Sequence, residues 1–130
     1  MSELKLIDCK MTPRVSLSLI AQLEENCNLQ SLSLVHCNIK EEAFRKLPCI
    51  LQNAPNLIKL DLAWGERHPR EFRPFFEVLR QNRRLEWLGL AWNTLFEHEV
   101  DPGLLEFVAE NQKLLHLDLS NCELGALMLE

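Results

Sequence analysis

Leucine and polar residues alternate in five short segments of the chain, and the segments recur at nearly constant intervals. When the chain is divided before residues 1, 29, 57, 85 and 114, every unit has leucine at its fourth and sixth positions. These are Leu4 and Leu6, Leu32 and Leu34, Leu60 and Leu62, Leu88 and Leu90, and Leu117 and Leu119. Alternation over a few residues is the pattern of a strand with one buried face. The sequence therefore predicts one short strand in each unit of 28 or 29 residues.

The second part of the first four units has a helical period. Apolar residues spaced by four lie on one face of a helix, and the pairs are Leu19 and Leu23, Leu47 and Leu51, Phe75 and Leu79, and Leu104 and Val108. Helix starts are indicated by Thr12 before Pro13 and by Asp101 before Pro102. Near the helix ends we expect asparagines in the left-handed conformation, namely Asn26, Asn53, Asn82 and Asn111.

Two units depart from this pattern. The third unit continues as "WGERHPREFRPF", with Gly65 at its ninth position and Arg67 at its eleventh, which predicts an irregular loop. Pro48 falls inside the second predicted helix, where a continuous helix would lose about 3 kcal/mol. We therefore expect a break or a late helix start near Leu47.

The pattern resembles that of the leucine-rich repeat family, LxxLxLxx(N or C)xL. The ninth positions are Cys9, Cys37, Gly65, Asn93 and Cys122. The repeat length and these residues resemble the ribonuclease-inhibitor-like subclass. The resemblance covers residues 1–130 as one domain with an incomplete last repeat. It implies an α/β fold, a curved solenoid with parallel strands on the concave face and helices on the convex face.

In that register the third, fifth and seventh positions face outward on the concave wall, and the eighth lies on its rim. All three tryptophans fall at such positions, beside small residues such as Gly89 and Ala91. Exposed aromatic side chains are typical of interface centres. The predicted partner-binding residues are Trp64, Trp87, Trp92, Lys59, Asp61, His36, His116 and Asp118. Trp87 is favoured most, because its strand position leaves it little to pack against. The alternative is that Trp64 and Trp92 form a structural pair.

Basic residues are concentrated in the third unit, which contains Arg67, Arg70, Arg73, Arg80, Arg83 and Arg84 together with His68. Such a group suits an acidic partner or a phosphate. The simpler interpretation is a solvated helix face neutralised by Glu66, Glu71, Glu77 and Glu86.

Composition and motifs narrow the function. The net charge of −5 argues against nucleic-acid and membrane binding, and no apolar run approaches the roughly 20 residues of a membrane span. Five scattered cysteines favour a reducing, cytoplasmic compartment, and the ninth-position cysteines are expected to satisfy backbone groups.

His36 beside Cys37 and His116 near Asp118 are the only catalytic candidates, and no established catalytic motif accompanies them. We expect no enzyme activity, no cofactor and no metal site.

The sequence thus predicts a non-catalytic interaction module or scaffold that binds a protein through its concave face and rim. The alternative is a structural part of a larger assembly that packs through its solenoid ends, with itself or with a neighbouring chain. The first residues already belong to a repeat, and "LGALMLE" starts a helix that does not finish, so a fragment is expected. The resemblance implies scaffolds, immune sensors, inhibitors or regulators of small GTPases or actin, without a choice among them.

Overall fold

The computed structural model describes residues 2–25, 28–65, 69–93, 102–111, 113–120 and 122. Its strands are β1 (Glu3–Ile7), β2 (Ser31–Val35), β3 (Lys59–Asp61), β4 (Trp87–Gly89) and β5 (His116–Asp118). Its helices are α1 (Pro13–Glu25), α2 (Glu41–Phe44), α3 (Leu47–Asn53), α4 (Arg73–Gln81) and α5 (Pro102–Glu110), with a 3-10 turn at Pro69–Phe72. The order confirms the alternation of strands and helices.

The five strands form one parallel sheet in chain order. Each strand pairs with the next at equivalent repeat positions, so that Leu4, Leu32, Leu60, Leu88 and Leu117 lie side by side. The fourth- and sixth-position leucines of the second, third and fourth units are buried, and those of the first and fifth units, whose strands lie at the sheet edges, are half-buried. The predicted α/β leucine-rich repeat architecture is confirmed.

The helices follow the predicted starts. The N–H of Val15 donates to Oγ1 of Thr12 at 3.2 Å, which caps α1, and α5 begins at Pro102. Asp101 lies outside the described residues. The predicted break near Leu47 separates α2 from α3, and Pro48 falls in the first turn of α3, where its missing N–H removes no helical bond.

The predicted buried face of α5 is wrong by one residue. Val108 is exposed, whereas Phe107 is completely buried. Counted from the start of their units, Phe107 and Leu104 match the buried Leu79 and Phe76 of α4. The extra residue of the fourth unit therefore lies after Phe107, and counting back from the next unit shifted the helical phase.

The prediction that asparagines near the helix ends adopt the left-handed conformation is also wrong for Asn82 and Asn111. Asn82 is extended, with φ −71° and ψ 131°, and its Oδ1 accepts the N–H groups of Arg84 and Leu85, each at 2.8 Å. Asn111 Oδ1 does the same for Lys113 and Leu114, and its amide donates to the carbonyl of Leu79 at 2.7 Å. Asn53 is the last residue of α3, and Asn26 lies outside the described residues. The side chain, rather than a left-handed backbone, closes these turns.

Candidate functional site: the strand face and its rim

The eighth residue of each of the first four units adopts the left-handed backbone conformation. Asp8, His36, Trp64 and Trp92 have φ between 54° and 60°. Their N–H groups donate to the seventh-position carbonyl of the next unit, at 2.8 to 3.0 Å. A non-glycine residue in this conformation costs about 1–2 kcal/mol. The backbone thus turns sharply after the strand and holds four side chains in one row, which we call the rim row.

In three units the ninth residue, Cys37, Asn93 or Cys122, turns inward and binds the preceding repeat. Cys37 Sγ donates to the carbonyl of Leu6 at 3.3 Å, and Cys122 Sγ donates to that of Leu90 at 3.0 Å. Asn93 Nδ2 donates to Leu62, Leu90 and Ala91 carbonyls at 2.9, 3.2 and 3.4 Å. Burial raises the pKa of the Cys37 and Cys122 thiols. The predicted structural role of these positions is confirmed.

The rim row is a continuous chain of contacts. His36 Nδ1 pairs with Asp8 Oδ1, and the imidazole lies 5.8 Å from the Trp64 ring. Trp64 and Trp92 stack with centroids 4.4 Å apart and planes at 19°. The predicted stack is confirmed, and yet 41% of Trp64 and 45% of Trp92 remains exposed. Stacking and availability to a partner are therefore compatible here.

A second row consists of Lys59, Trp87 and His116, the third residues of their units and the first residues of β3, β4 and β5, and we call it the face row. Lys59 Nζ lies 4.6 Å from the Trp87 ring centroid, and His116 stacks parallel to Trp87 at 5.3 Å and 4°. A Cβ built on Gly89 would lie 2.6 Å from Trp87 Cζ3, so the indole rests directly on that glycine. The stated reason for favouring Trp87 is wrong, because this half-buried ring packs on three neighbours. Its role in binding stays a prediction.

Two carboxylates lie between the rows at the fifth position. Asp61 Oδ1 accepts the Ala63 N–H at 3.1 Å, and Asp118 Oδ1 accepts the Ser120 N–H at 3.0 Å and hydroxyl at 2.6 Å. The Ser120 hydroxyl and N–H hold the pKa of Asp118 below its usual value. Ser120 and Gly89 were not among the predicted residues. For Ser120 the available signal was its place two residues after Asp118, which is the place of Ala63 after Asp61. For Gly89 it was a residue without a side chain two positions after Trp87 on the same strand.

The catalytic candidates have other partners. His36 is bound to Asp8 and Trp64, whereas the neighbouring Cys37 thiol donates to backbone carbonyls. Within the described part of the chain, no group of three or more His, Cys, Asp or Glu side chains is placed to hold a metal ion. No described helix combines the length and apolarity needed to cross a membrane.

Three of the described arginines of the third unit, Arg80, Arg83 and Arg84, have different neighbours. Arg80 pairs with Glu106 at 2.7 Å and with Glu110 at 3.3 Å, both on α5, and neither glutamate was among the expected partners. Arg83 and Arg84 line a cleft of about 520 Å³ together with Glu77 and Asn82. Arg67, His68 and the side chain of Arg70 lie outside the described residues. Arg80, Arg83 and Arg84 thus lie beside residues of the helices, and none of these neighbours is a tryptophan.

Comparison with known proteins agrees with this architecture. A family model described as a leucine-rich repeat matches residues 25–43 and 110–127. The match covers less than half of the chain and agrees with the leucine-rich repeat architecture of the parallel sheet and its repeat register. The ribonuclease-inhibitor-like subclass stays a prediction. No curated protein matches the sequence.

Two solved structures share the fold. The leiomodin-1 actin-binding site 2 is 19% identical, with a TM-score of 0.70 over 92% of this chain and 70% of that chain. The tropomodulin C-terminal domain of Caenorhabditis elegans is also 19% identical, with a TM-score of 0.58 over 85% of this chain and 86% of that chain. At this level of identity the likeness establishes the fold.

Proposed function

We propose that the chain is a non-catalytic module that binds a protein partner through its concave face and rim. The observation that carries the proposal is the exposure of Trp64 and Trp92 next to the ordered face row around Trp87. Large aromatic side chains held rigidly at a surface lose little conformational entropy on binding and are enriched among hot spots.

The arrangement supports recognition for a second reason. The sheet fixes the rim row through backbone hydrogen bonds, and stacking fixes the ring orientations. Lys59, Asp61, His36, His116 and Asp118 surround the tryptophans with polar groups of both signs. A hydrophobic centre with a polar surround is the usual anatomy of a protein interface.

The defining experiment is quantitative affinity capture with three forms of the chain. The wild type is compared with the Trp64→Ala/Trp92→Ala double variant and with Val15→Ala, which changes an exposed apolar residue on α1. Circular dichroism first establishes that all three are folded. We expect the partner to be lost from the tryptophan variant and retained by Val15→Ala. Retention by both variants would overturn the proposal.

Actin is the first defined partner to test, because the leiomodin-1 domain with this fold is an actin-binding site. Monomeric actin is titrated into each form, and binding is followed by calorimetry. If the tryptophans are hot spots, their replacement weakens binding by about 30-fold, corresponding to about 2 kcal/mol. Absence of binding to the wild type would exclude monomeric actin, and the capture experiment would then decide on the module itself.

A further inference from the structure

We propose that the cleft beside the turn after α4 is a second binding site, which receives an acidic segment of a partner protein through Arg83 and Arg84. The residues that line this cleft belong neither to the rim row nor to the face row. The inference therefore goes beyond the proposed function and does not depend on it. It is carried by the size of the cleft, by two arginines without an acidic partner and by the turn that positions them.

The cleft has the dimensions of a ligand site. Its volume of about 520 Å³ lies within the range of about 300–1,000 Å³ that is usual for such sites. It is lined by Gln52 of α3, by residues of α4 and by the turn that follows α4. Two neighbouring repeats therefore contribute to it, and it is far larger than one phosphate group.

The two arginines contrast with Arg80, which precedes them on α4. Arg80 pairs with Glu106 and Glu110 of α5, so its charge is balanced within the chain. Within the described residues neither Arg83 nor Arg84 has an ion-pair partner for its guanidinium, and both side chains are exposed. A guanidinium binds a carboxylate through two parallel hydrogen bonds. An acidic ligand would supply these two arginines with what the chain itself supplies to Arg80.

The turn that carries the arginines is held from two directions. Asn82 Oδ1 accepts the N–H groups of Arg84 and Leu85, each at 2.8 Å, and Leu85 is completely buried. From the next repeat, Asn111 Nδ2 donates to the carbonyl of Asn82 at 3.2 Å. The backbone of the turn is thus fixed before a ligand arrives, which lowers the entropic cost of binding.

The other lining residues favour a peptide over a free phosphate. Gln52, Gln81 and Asn82 carry side-chain amides, which donate and accept hydrogen bonds as peptide groups do. Val78 is half-buried and offers an apolar contact to a side chain. Glu77 also lines the cleft, and its carboxylate can accept a peptide N–H but repels a phosphate, which carries about −1.5 to −2 charges.

The experiment is selection of a random heptapeptide display library on the whole chain, with Arg83→Gln/Arg84→Gln for counter-selection. Circular dichroism first establishes that both forms are folded. Peptides that bind the wild type and not the variant are expected to be enriched in aspartate and glutamate. The best peptide is then synthesised with its acidic residues and with their uncharged amides, and both forms are titrated by calorimetry.

Variants of the lining test whether the cleft itself is used. Replacing the acidic residues of the peptide by amides is expected to weaken binding about three- to tenfold. Gln52→Ala, on the separate helix α3, is expected to weaken it about twofold to fivefold. Glu77→Gln removes the repulsion and is expected to strengthen it about twofold.

Two controls leave the affinity unchanged. Arg45→Gln/Lys46→Gln also removes two adjacent exposed positive charges, and neither residue lines the cleft. Trp64→Ala/Trp92→Ala removes the exposed tryptophans of the proposed concave site. The second control separates this inference from the proposed function, because a peptide in the cleft is indifferent to the tryptophans.

Four results would overturn the inference. Failure to enrich any peptide that depends on Arg83 and Arg84, or enrichment of peptides without acidic residues, refutes the site or its chemistry. Equal weakening by Arg45→Gln/Lys46→Gln shows attraction between opposite charges without a defined site. Displacement of the peptide by inorganic phosphate at a lower concentration than by the unlabelled peptide shows a small-anion site instead. Loss of binding in the tryptophan variant places the peptide on the concave surface.

Discussion

Replacement of Gly89 by alanine tests how tightly the face row is built. The added Cβ would lie 2.6 Å from Asp61 Oδ1 and 2.6 and 2.7 Å from Trp87 Cζ3 and Cη2. Ordinary carbon contacts begin near 3.5 Å, so the indole must move by about 1 Å. The backbone itself is no obstacle, because φ is not positive at any described glycine.

The magnitude follows from the contacts that Trp87 would lose. Its stack on His116 is worth about 0.5–1.5 kcal/mol, and its contact with Lys59 about 0.5–1 kcal/mol at an exposed site. The lower entropy of alanine in the unfolded chain offsets about 0.4–1 kcal/mol. The expected net loss in the free energy of unfolding is about 1 kcal/mol, or about 4 °C in Tm.

The assay is a double-mutant cycle of the wild type, Gly89→Ala, Trp87→Ala and the double variant. Urea unfolding of each protein is monitored by circular dichroism and tryptophan fluorescence. In a Trp87→Ala background the ring is absent and only the contact with Asp61 Oδ1 remains, so Gly89→Ala is expected to cost less than in the wild type. The two substitutions should therefore be strongly coupled. An equal cost in both backgrounds, or no cost in the wild type, would refute the proposed packing of Trp87 on Gly89.

Three further predictions concern the turns and the thiols. Asn93→Ala removes a buried amide from three carbonyl groups and should lower the free energy of unfolding by about 2–3 kcal/mol in urea titrations, whereas an unchanged midpoint would contradict its role. Ser120→Ala should raise the pKa of Asp118 toward the ordinary value of an aspartate in NMR titrations. Because that pKa is depressed in the folded chain, the stabilisation by this hydrogen bond is present above the unfolded pKa and is lost as pH falls through the folded pKa, so the variant should show a smaller loss of Tm on acidification. The exposed Cys49 should react with a thiol reagent in the native chain, and the buried Cys37 should react only after unfolding; equal rates under native conditions would contradict the assigned burial.

The repeat length and the alternating leucines were sufficient to predict the sheet, because a one-residue slip would expose every buried leucine. The helical phase of α5 was less secure, since one additional residue moved the predicted buried position from Phe107 to Val108. The asparagine turns were misassigned because the same residue type closes a turn through its backbone or through its side chain. Only coordinates distinguish the two.

The candidate site shows a similar limit. The eighth-position column was evident from the repeat, and the stack of Trp64 on Trp92 followed from it. The surroundings of Trp87 depended instead on side-chain directions across three strands, which repeat spacing alone does not provide. Pairing of Arg80 with Glu106 and Glu110 was missed for the same reason, because these residues lie far apart in sequence on neighbouring helices.

The left-handed residues of the rim row have a consequence for how this surface can change. The backbone strain at the eighth position is much the same for most side chains that carry a Cβ, because it arises at that atom. The identity of the residue there is therefore only weakly coupled to whether the repeat folds. A substitution such as Trp64→Arg changes what the rim presents while leaving the turn intact. Each side chain of the rim row can therefore be replaced separately, while the backbone that positions it stays the same.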